Sequence, residues 1–437
     1  MQTIRKFSTH FMRMAKINKP EALLKPINVP KKLLMGPGPS NCHPKVLEAG
    51  TLPLLGHLHP EFCQYEPVLQ AVTANHAVES SSSEDGRGES DEEERNERIM
   101  DEVKLGLQYV FQTKNKVTLA VSGTGHCAME TAVINLLEPG NVALVAVNGI
   151  WGQRVSNLCR RNGKRIIVKT LNKDPGQVFS LSEIEEGLKR ERPNVLFVCH
   201  SESSTGVLHP LENIGSLCKR YNSLFLVDAV ASLGSTEIQT DDLGIDVIYS
   251  GSQKVLSCPP GVSLISFNDA AMSKVESRKT EVTSFYLDIK ELANYWGCYD
   301  QPRRYHHTAP ITSIYQLREA LSVIAEEGLE NVIDRHKMCS HLLYKGLREI
   351  LLEPFVENAE LRLPTVTTIK VPNGVNWKEV VDYCMKKLPG ELRNGKKVMD
   401  PPMSASKSGN TGFIFMSYRK SPTVECMRML NRHSKHN

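Results

Sequence analysis

SLFLVDAVASLGSTEIQTDDLGIDVIYSGSQKVLSCPP, residues 223–260, contains two apolar runs that each read as a buried strand. The first ends in an acid, Asp228, and the second, DVIYSGSQK, ends in a lysine, Lys254. In open α/β sheets, ligands bind in the crevice at the carboxyl ends of the strands, where both residues then stand. A lysine in an apolar setting can form a Schiff base. A carboxylate beside it can keep a pyridine nitrogen protonated, which is the minimum equipment for pyridoxal phosphate chemistry. A surface lysine and an acid capping a turn would leave the same trace, so the rest of the chain has to decide.

Composition narrows the classes. The chain has 437 residues, 40% apolar and 23% charged, ordinary for a globular protein and enough to bury a sizeable core. No apolar run reaches the roughly 18 residues of a membrane helix, so no span is expected. The net charge of +4 is dispersed rather than clustered on a motif, which argues against nucleic acid as a partner. The eleven cysteines show no CxxC and no regular framework, as free thiols in a reducing compartment would. His306–His307 and His57-x-His59 are too closely spaced for a structural zinc, and no metal is expected.

Three segments stand apart. Met1–Pro20 carries Arg5, Lys6, Arg13, Lys16 and Lys19 and no acid, with Ile4, Phe7, Phe11 and Met14 on one helical stripe. It reads as a mitochondrial presequence or as a basic tail. Met14 could serve as an internal start, and the last residues, Ser434–Asn437, are not a peroxisomal SKL-type tail. Tyr65–Arg98 has ten acidic and three basic residues, and its core ESSSSEDGRGESDEEERNER has almost no apolar ones, so it is expected to be a disordered acidic insertion. Lys31–Asn41, KKLLMGPGPSN, alternates two glycines with two prolines, which suits either a simple turn or the floor of a ligand pocket.

From Val117 the chain alternates apolar runs (VTLAVSG, NVALVAVN, NVLFVCH, LFLVDAV, DVIYSG) with helical stretches such as HCAMETAVINLLE and LENIGSLCKRY. That order predicts a parallel sheet covered on both faces. The turn Ser122–Gly123–Thr124–Gly125–His126 joins a strand to a helix, and its glycines let backbone N–H groups approach one phosphate. It lacks the third glycine of a dinucleotide fingerprint and the GK[ST] of a Walker loop. Trp151, in NGIWGQR, follows another strand and can stack on a flat ring or pack in a core. SESSTG, residues 201–206, places hydroxyls after a third strand. The helices of residues 315–350 and the strand-like RLPTVTTIKVP mark a second unit. Five strand ends thus carry an anion cradle, an aromatic ring, hydroxyls, an acid and a lysine, and together they describe one pyridoxal phosphate site.

The stretches LLMGPGPSN, SGTGHCAMETA, NGIWGQR, ESSTGVLHPLE, LVDAVASLG, YSGSQKVLSCPPG, SFYLDIK, NYWGCYDQPRRYHHT, EEGLEN and RLPTVTT resemble the alanine–glyoxylate (serine–pyruvate) aminotransferases and their insect relatives acting on 3-hydroxykynurenine. The resemblance runs from about Leu33 to about Leu388, the acidic segment apart. It implies an α/β, fold-type I pyridoxal phosphate transferase: an arm over 1–32, a large domain over 33–326 with the insertion at 65–98, and a smaller α+β domain over 327–437. It implies a homodimer with shared active sites, and small amino and keto acids as substrates. Lys254 would be the Schiff-base lysine and proton carrier, Asp228 the partner of the pyridine nitrogen, and Trp151 the ring stacker. Ser122, Gly123, Thr124, Gly125 and His126 would hold the phosphate with Gln253 beside them, and Ser203 would contact the ring oxygen. Tyr305 and Thr308 would reach the partner subunit's cofactor. Ser40, Asn41 and Ser203 would lie near substrate.

One departure bears on activity. The family's pattern fades after about Leu388, and the arginine that clamps the substrate carboxylate would fall near Ala405, where no arginine stands. A bidentate clamp needs a guanidinium. The expectation is cofactor binding with impaired substrate affinity, and the alternatives are a 3-hydroxykynurenine transaminase, a lyase using Cys258 or Cys298, or an inactive scaffold. The compartment is expected to be peroxisomal or mitochondrial.

Overall fold

The computed structural model describes residues 26, 27, 29, 38–57, 59, 61–63, 99–162, 165–299 and 301–376. The presequence-like segment, the acidic segment 65–98 and the tail that should carry the carboxylate clamp lie outside the described residues. The chain divides into two units, Met1–Lys32 and Leu33–Asn437, and every element below belongs to the second.

Seven strands form the central sheet: β1 (Val117–Ser122), β2 (Val142–Val147), β3 (Ile167–Asn172), β4 (Val195–Cys199), β7 (Leu224–Asp228), β8 (Val247–Gly251) and β9 (Val262–Phe267). β5 (Ser201–Glu202) and β6 (Val207–Leu208) make a separate two-stranded pair. The sheet runs β1-β9-β8-β7-β4-β2-β3, with β9 antiparallel to both neighbours and the other pairings parallel. A mixed α/β fold with a mostly parallel sheet is therefore observed. β4, β8 and β9 are buried along their whole length, and β7 along all but its first residue, because helices cover both faces. Besides the short β5 and β6, two strands of the central sheet went unread in the sequence. β3 is an edge strand of half-exposed residues, and β9, VSLISF, mixes serines with its apolar positions.

The helices are α1 (Pro44–Ala49), α2 (Ile99–Phe111), α3 (Gly125–Leu136), α4 (Ile150–Arg161), α5 (Leu181–Glu191), α6 (Ile214–Arg220), α7 (Asp269–Glu276), α8 (Ile289–Tyr295), α9 (Ile311–Glu327) and α10 (Leu329–Glu349). Local chemistry sets several ends. Ser180 and Glu183 form a reciprocal capping box at the start of α5. Asn268 caps α7 through Ala271 N–H. α10 buries Leu329, Val332, Ile333, His336, Ser340, Leu343 and Leu347, a stripe at helical spacing. Residue 326, where the sequence suggests a boundary, lies in the last turn of α9, and Gly328 (φ +84°) then turns the chain into α10.

RLPTVTTIKVP departs from its expected form. Leu363–Ile369 is buried, but among the described residues it makes only isolated bridges, at Arg362 and Ile369. Its polar groups bond to loops instead of a ladder. Leu363 N–H donates to Gly206 O at 2.9 Å, Thr365 Oγ1 to Ala231 O at 2.8 Å and Thr368 Oγ1 to Thr205 O at 2.7 Å. The segment thereby braces the loops after β4 and β7.

Phe225 on β7 has no exposed surface. Phe225→Ala removes a large side chain from a close-packed interior and is expected to lower the unfolding free energy by about 3–5 kcal/mol, measured by urea denaturation.

Candidate active site

Parallel register builds the site. Cys199 at the end of β4 pairs with Asp228 at the end of β7, and Asp228 pairs with Tyr249 on β8, which runs two residues further to Gly251. β1 and β8 both run antiparallel to the β9 strand between them, so the end of β1 at Ser122 joins the same edge. The five strands that carry the cradle, lysine, acid, hydroxyls and aromatic are thus β1, β8, β7, β4 and β2, separated only by β9.

Asp228 is buried, with 2% of its surface exposed. Its Oδ1 accepts from Val230 N–H at 2.9 Å and its Oδ2 from the Tyr249 hydroxyl at 2.8 Å. Burial pushes its carboxyl up to about 6, against the pull of those two donors and of the Lys254 charge. Each oxygen keeps a second lone pair for a ligand N–H. Tyr249, fully buried, was not singled out from the sequence; a strand tyrosine reads as core until its partner is known.

Burial lowers Lys254 from 10.5 to about 8, with the Asp228 charge opposing. Gly38 and Ser40 lie against the turn that carries it. A Cβ on Gly38 (φ +135°) would stand 2.5 Å from Lys254 Nζ, so glycine is required there. Ser40 N–H donates to Gln253 O at 2.9 Å and Ser40 Oγ to Lys254 O at 2.6 Å, which clips the segment onto the lysine turn. Gly38 and Ser40 thus pack on the turn that carries Lys254. Asn41 follows, half-buried.

The amino end of α3 is open. Thr124 stands at the cap but makes no side-chain cap bond, and the first amides of a helix have no carbonyl of their own turn to meet. Gly123 (φ +152°) turns the chain into it, and a Cβ there would strike Cys127 Sγ at 2.7 Å. Gly125 lies against Val230 and Gly251, the residues after β7 and at the end of β8. Gln253 places a buried Oε1 beside Gly251 with no hydrogen-bond partner among the described residues. His126, next on α3, is held below its ordinary pKa by burial and then by the Arg154 charge, while Glu130 at 3.7 Å opposes.

Trp151 is held twice. Its Nε1–H donates to Ser203 Oγ at 2.9 Å, and its backbone N–H donates to Glu202 Oε2 at 3.0 Å. Ser203 is buried. Glu202, entirely buried, also escaped the sequence reading: in SESSTG the hydroxyls drew attention and the acid did not.

Tyr305 and Thr308 are exposed and pair with each other, hydroxyl to hydroxyl, at 3.3 Å. The Tyr305 ring faces His57 at 5.3 Å. The histidines between them form a chain to the cradle. His306 Nε2 meets Phe285 O at 3.0 Å, the two Nδ1 atoms of His306 and His307 meet at 2.7 Å, and His307 Nε2 meets Ser122 Oγ at 2.7 Å. A carbonyl can only accept, so with both rings neutral His307 Nε2 accepts and the Ser122 hydroxyl proton points at His307. Burial and the neighbouring His306 and His57 lower His307 to about 4, consistent with that neutral form.

Residues 64–423 match the profile of the family described as Aminotransferase class-V. The chain belongs to the class-V aminotransferases. It is 50% identical over 376 residues to the alanine–glyoxylate aminotransferase of Rattus norvegicus, covering 86% of this chain and 82% of that protein. It is 42% identical over 377 residues to the protein of that name from Drosophila melanogaster, covering 86% of each. The crystal structure of an alanine–glyoxylate aminotransferase from Nostoc sp. superposes with a TM-score of 0.79 at 36% identity, over 96% of this chain and 99% of that one. The family match passes Leu388, where the motif resemblance fades. Class-V aminotransferases are pyridoxal phosphate enzymes, and this chain's residues fit that group. The open amino end of α3 suits a phosphate, Asp228 suits a ring N–H, and Lys254 suits an aldehyde.

The neutral amine is the nucleophile, so a lysine half-neutral at about 8 gains reactivity up to that pH and then levels off. Labelling of Lys254 by a small aldehyde, fixed with borohydride and read by peptide mass spectrometry, should rise through about pH 8 and flatten. Asp228→Asn removes a charge that raises the lysine's pKa, so the midpoint should move lower. A midpoint above 10 would contradict this electrostatic account.

Proposed function

We propose that the chain is a pyridoxal phosphate-dependent aminotransferase moving an amino group from alanine or serine to glyoxylate, so that glyoxylate is consumed and glycine is formed. The observation that carries the reading is the pairing of Lys254 with buried Asp228 at adjacent strand ends, beside an uncapped helix. The choice of substrates is supported by relatives 42–50% identical to this chain that bear the name alanine–glyoxylate aminotransferase.

Bound pyridoxal phosphate supplies an electron sink for the pair left behind when a substrate Cα proton is removed. Amides at the amino end of α3, from Gly125 and His126, bind the phosphate where the helix dipole favours negative charge. Asp228 accepts the N–H of the ring and keeps that proton in place, with Val230 N–H and the Tyr249 hydroxyl orienting its carboxylate. Trp151, whose indole Nε1–H donates to Ser203 Oγ, would stack on the ring. Lys254 Nζ, neutral at mildly alkaline pH, takes the proton from the substrate Cα and returns it. Gly38 and Ser40 keep the lysine backbone in reach.

Tyr305 and Thr308 are exposed, and we assign them to the neighbouring active site of a homodimer. The basic, acid-free N-terminal segment supports import into mitochondria, with the peroxisome as the other expected compartment.

Purified protein given pyridoxal phosphate should acquire a visible absorbance band that survives desalting, and should convert alanine and glyoxylate to pyruvate and glycine. Lys254→Ala should lose the band and reduce turnover by about a thousandfold or more. Absence of any band in the unsubstituted protein would sink the cofactor assignment. A band without turnover of any amino donor would sink the transaminase assignment.

A further inference from the structure

The Glu202 carboxyl is fully buried, and its hydrogen-bond partners among the described residues are uncharged. Charges are retained in such places when hydrogen bonds compensate them. Here every polar neighbour donates. Trp151 N–H reaches Oε2 at 3.0 Å, Ser204 N–H reaches Oε1 at 3.0 Å, and the Ser204 hydroxyl also donates to Oε1. A Cβ on Gly149 would collide with the Glu202 carboxyl, so glycine at the head of α4 is what admits the acid.

Capping a helix does not require this arrangement. A serine or aspartate at the cap position would do it locally. α4 instead has Gly149 at its cap, with no side-chain bond, and draws its partners from the segment after β4. Ile150 N–H goes to Ser204 Oγ at 3.2 Å and Trp151 N–H to Glu202. The next residue along, Ser203, accepts the indole Nε1–H. Consecutive residues of one strand end therefore grip both the main chain and the ring of Trp151.

We propose that Glu202 is the positioning residue for Trp151: its carboxylate fixes the tryptophan's main chain so that the indole meets both Ser203 and the ring of the ligand. The part concerning the ligand ring rests on the cofactor reading above. The grip is sensitive to a proton. Burial pushes the Glu202 carboxyl up to about 7, against the pull of the Ser204 and Trp151 donors, and the Asp228 charge pushes in the same direction as burial. The groups facing it are Asp228 from β7, Cys199 at the end of β4, and the Ser204 and Trp151 donors. Once protonated, Glu202 keeps one carbonyl oxygen as an acceptor and must donate through the other; its N–H partners cannot take that proton and the Ser204 hydroxyl must reverse to do so, so both N–H bonds lose the carboxylate charge and the hold on Trp151 weakens.

The emission of Trp151, taken as the difference between the protein and its Trp151→Phe variant, reports the grip without any cofactor. In the cofactor-free protein this emission should titrate with a midpoint near pH 7, and in Glu202→Gln the titration should vanish. At pH 8 Glu202→Gln should bind pyridoxal phosphate about tenfold more weakly, the effect of losing a hydrogen bond to a charged group. Its residual Trp151 emission should be quenched less by the bound cofactor. A folded Glu202→Gln protein with a lower Tm but unchanged Trp151 titration, quenching and affinity would reduce Glu202 to a structural cap and overturn the proposal. If Glu202→Gln does not fold, Ser204→Ala decides. It removes a donor that lowers the Glu202 pKa, so the Trp151 midpoint must move up, and an unmoved midpoint overturns the proposal. Failure of the cofactor reading is separately visible, as absence of the visible band in the unsubstituted protein while the cofactor-free titration still reads the grip.

Discussion

Everything at this site depends on the parallel register of β4, β7 and β8. Cys199, Asp228 and Tyr249 occupy one level of the ladder, so an acid, its hydroxyl partner and the turn bearing Lys254 are set by backbone hydrogen bonds before any side chain is chosen. A slip of one residue would turn Asp228 to the other face of the sheet. The antiparallel β9 keeps β1 parallel to β8, and thereby brings the open amino end of α3 to the same edge. The chemistry is thus a property of the sheet's edge, and the helices on both faces supply the dry surroundings that shift Asp228 and Lys254 toward each other.

Two long helices start at that edge and are treated differently. α4 has its first amides met from within, by Ser204 and Glu202. α3 has a cap residue, Thr124, that makes no cap bond. A helix amino end attracts negative charge. With a carboxylate supplied to one and the other left open, α3 is the helix end that suits an anionic ligand, while Glu202 and Ser203 hold Trp151 at the start of α4.

Residue types with a single chemical use were legible in the chain. Asp228 and Lys254 end apolar runs, and SGTGH interrupts a strand–helix junction with glycines, so their positions followed from pattern alone. Glu202, Tyr249 and His307 were not legible. A glutamate among serines, a strand tyrosine and one of two adjacent histidines acquire meaning only through partners about 20 to 185 positions away in the chain. Gly149 belongs with them, because its lack of a side chain matters only when the Glu202 carboxyl arrives against it. β3 and β9 escaped for a related reason: half-exposed or serine-containing strands carry a weak periodic signal, and neighbours in the sheet complete them.

The amino-acid sequence by itself determined the class of fold and the kinds of groups at the strand ends, because hydrophobic runs and turn residues act over a few positions. Tertiary structure decided which oxygen faces which donor, that Gly38 and Ser40 pack on the turn that carries Lys254, and that Leu363–Ile369 braces loops instead of joining a sheet. Those outcomes depend on hydrogen-bond partners and burial contributed by distant parts of the chain, and local pattern carries no record of them.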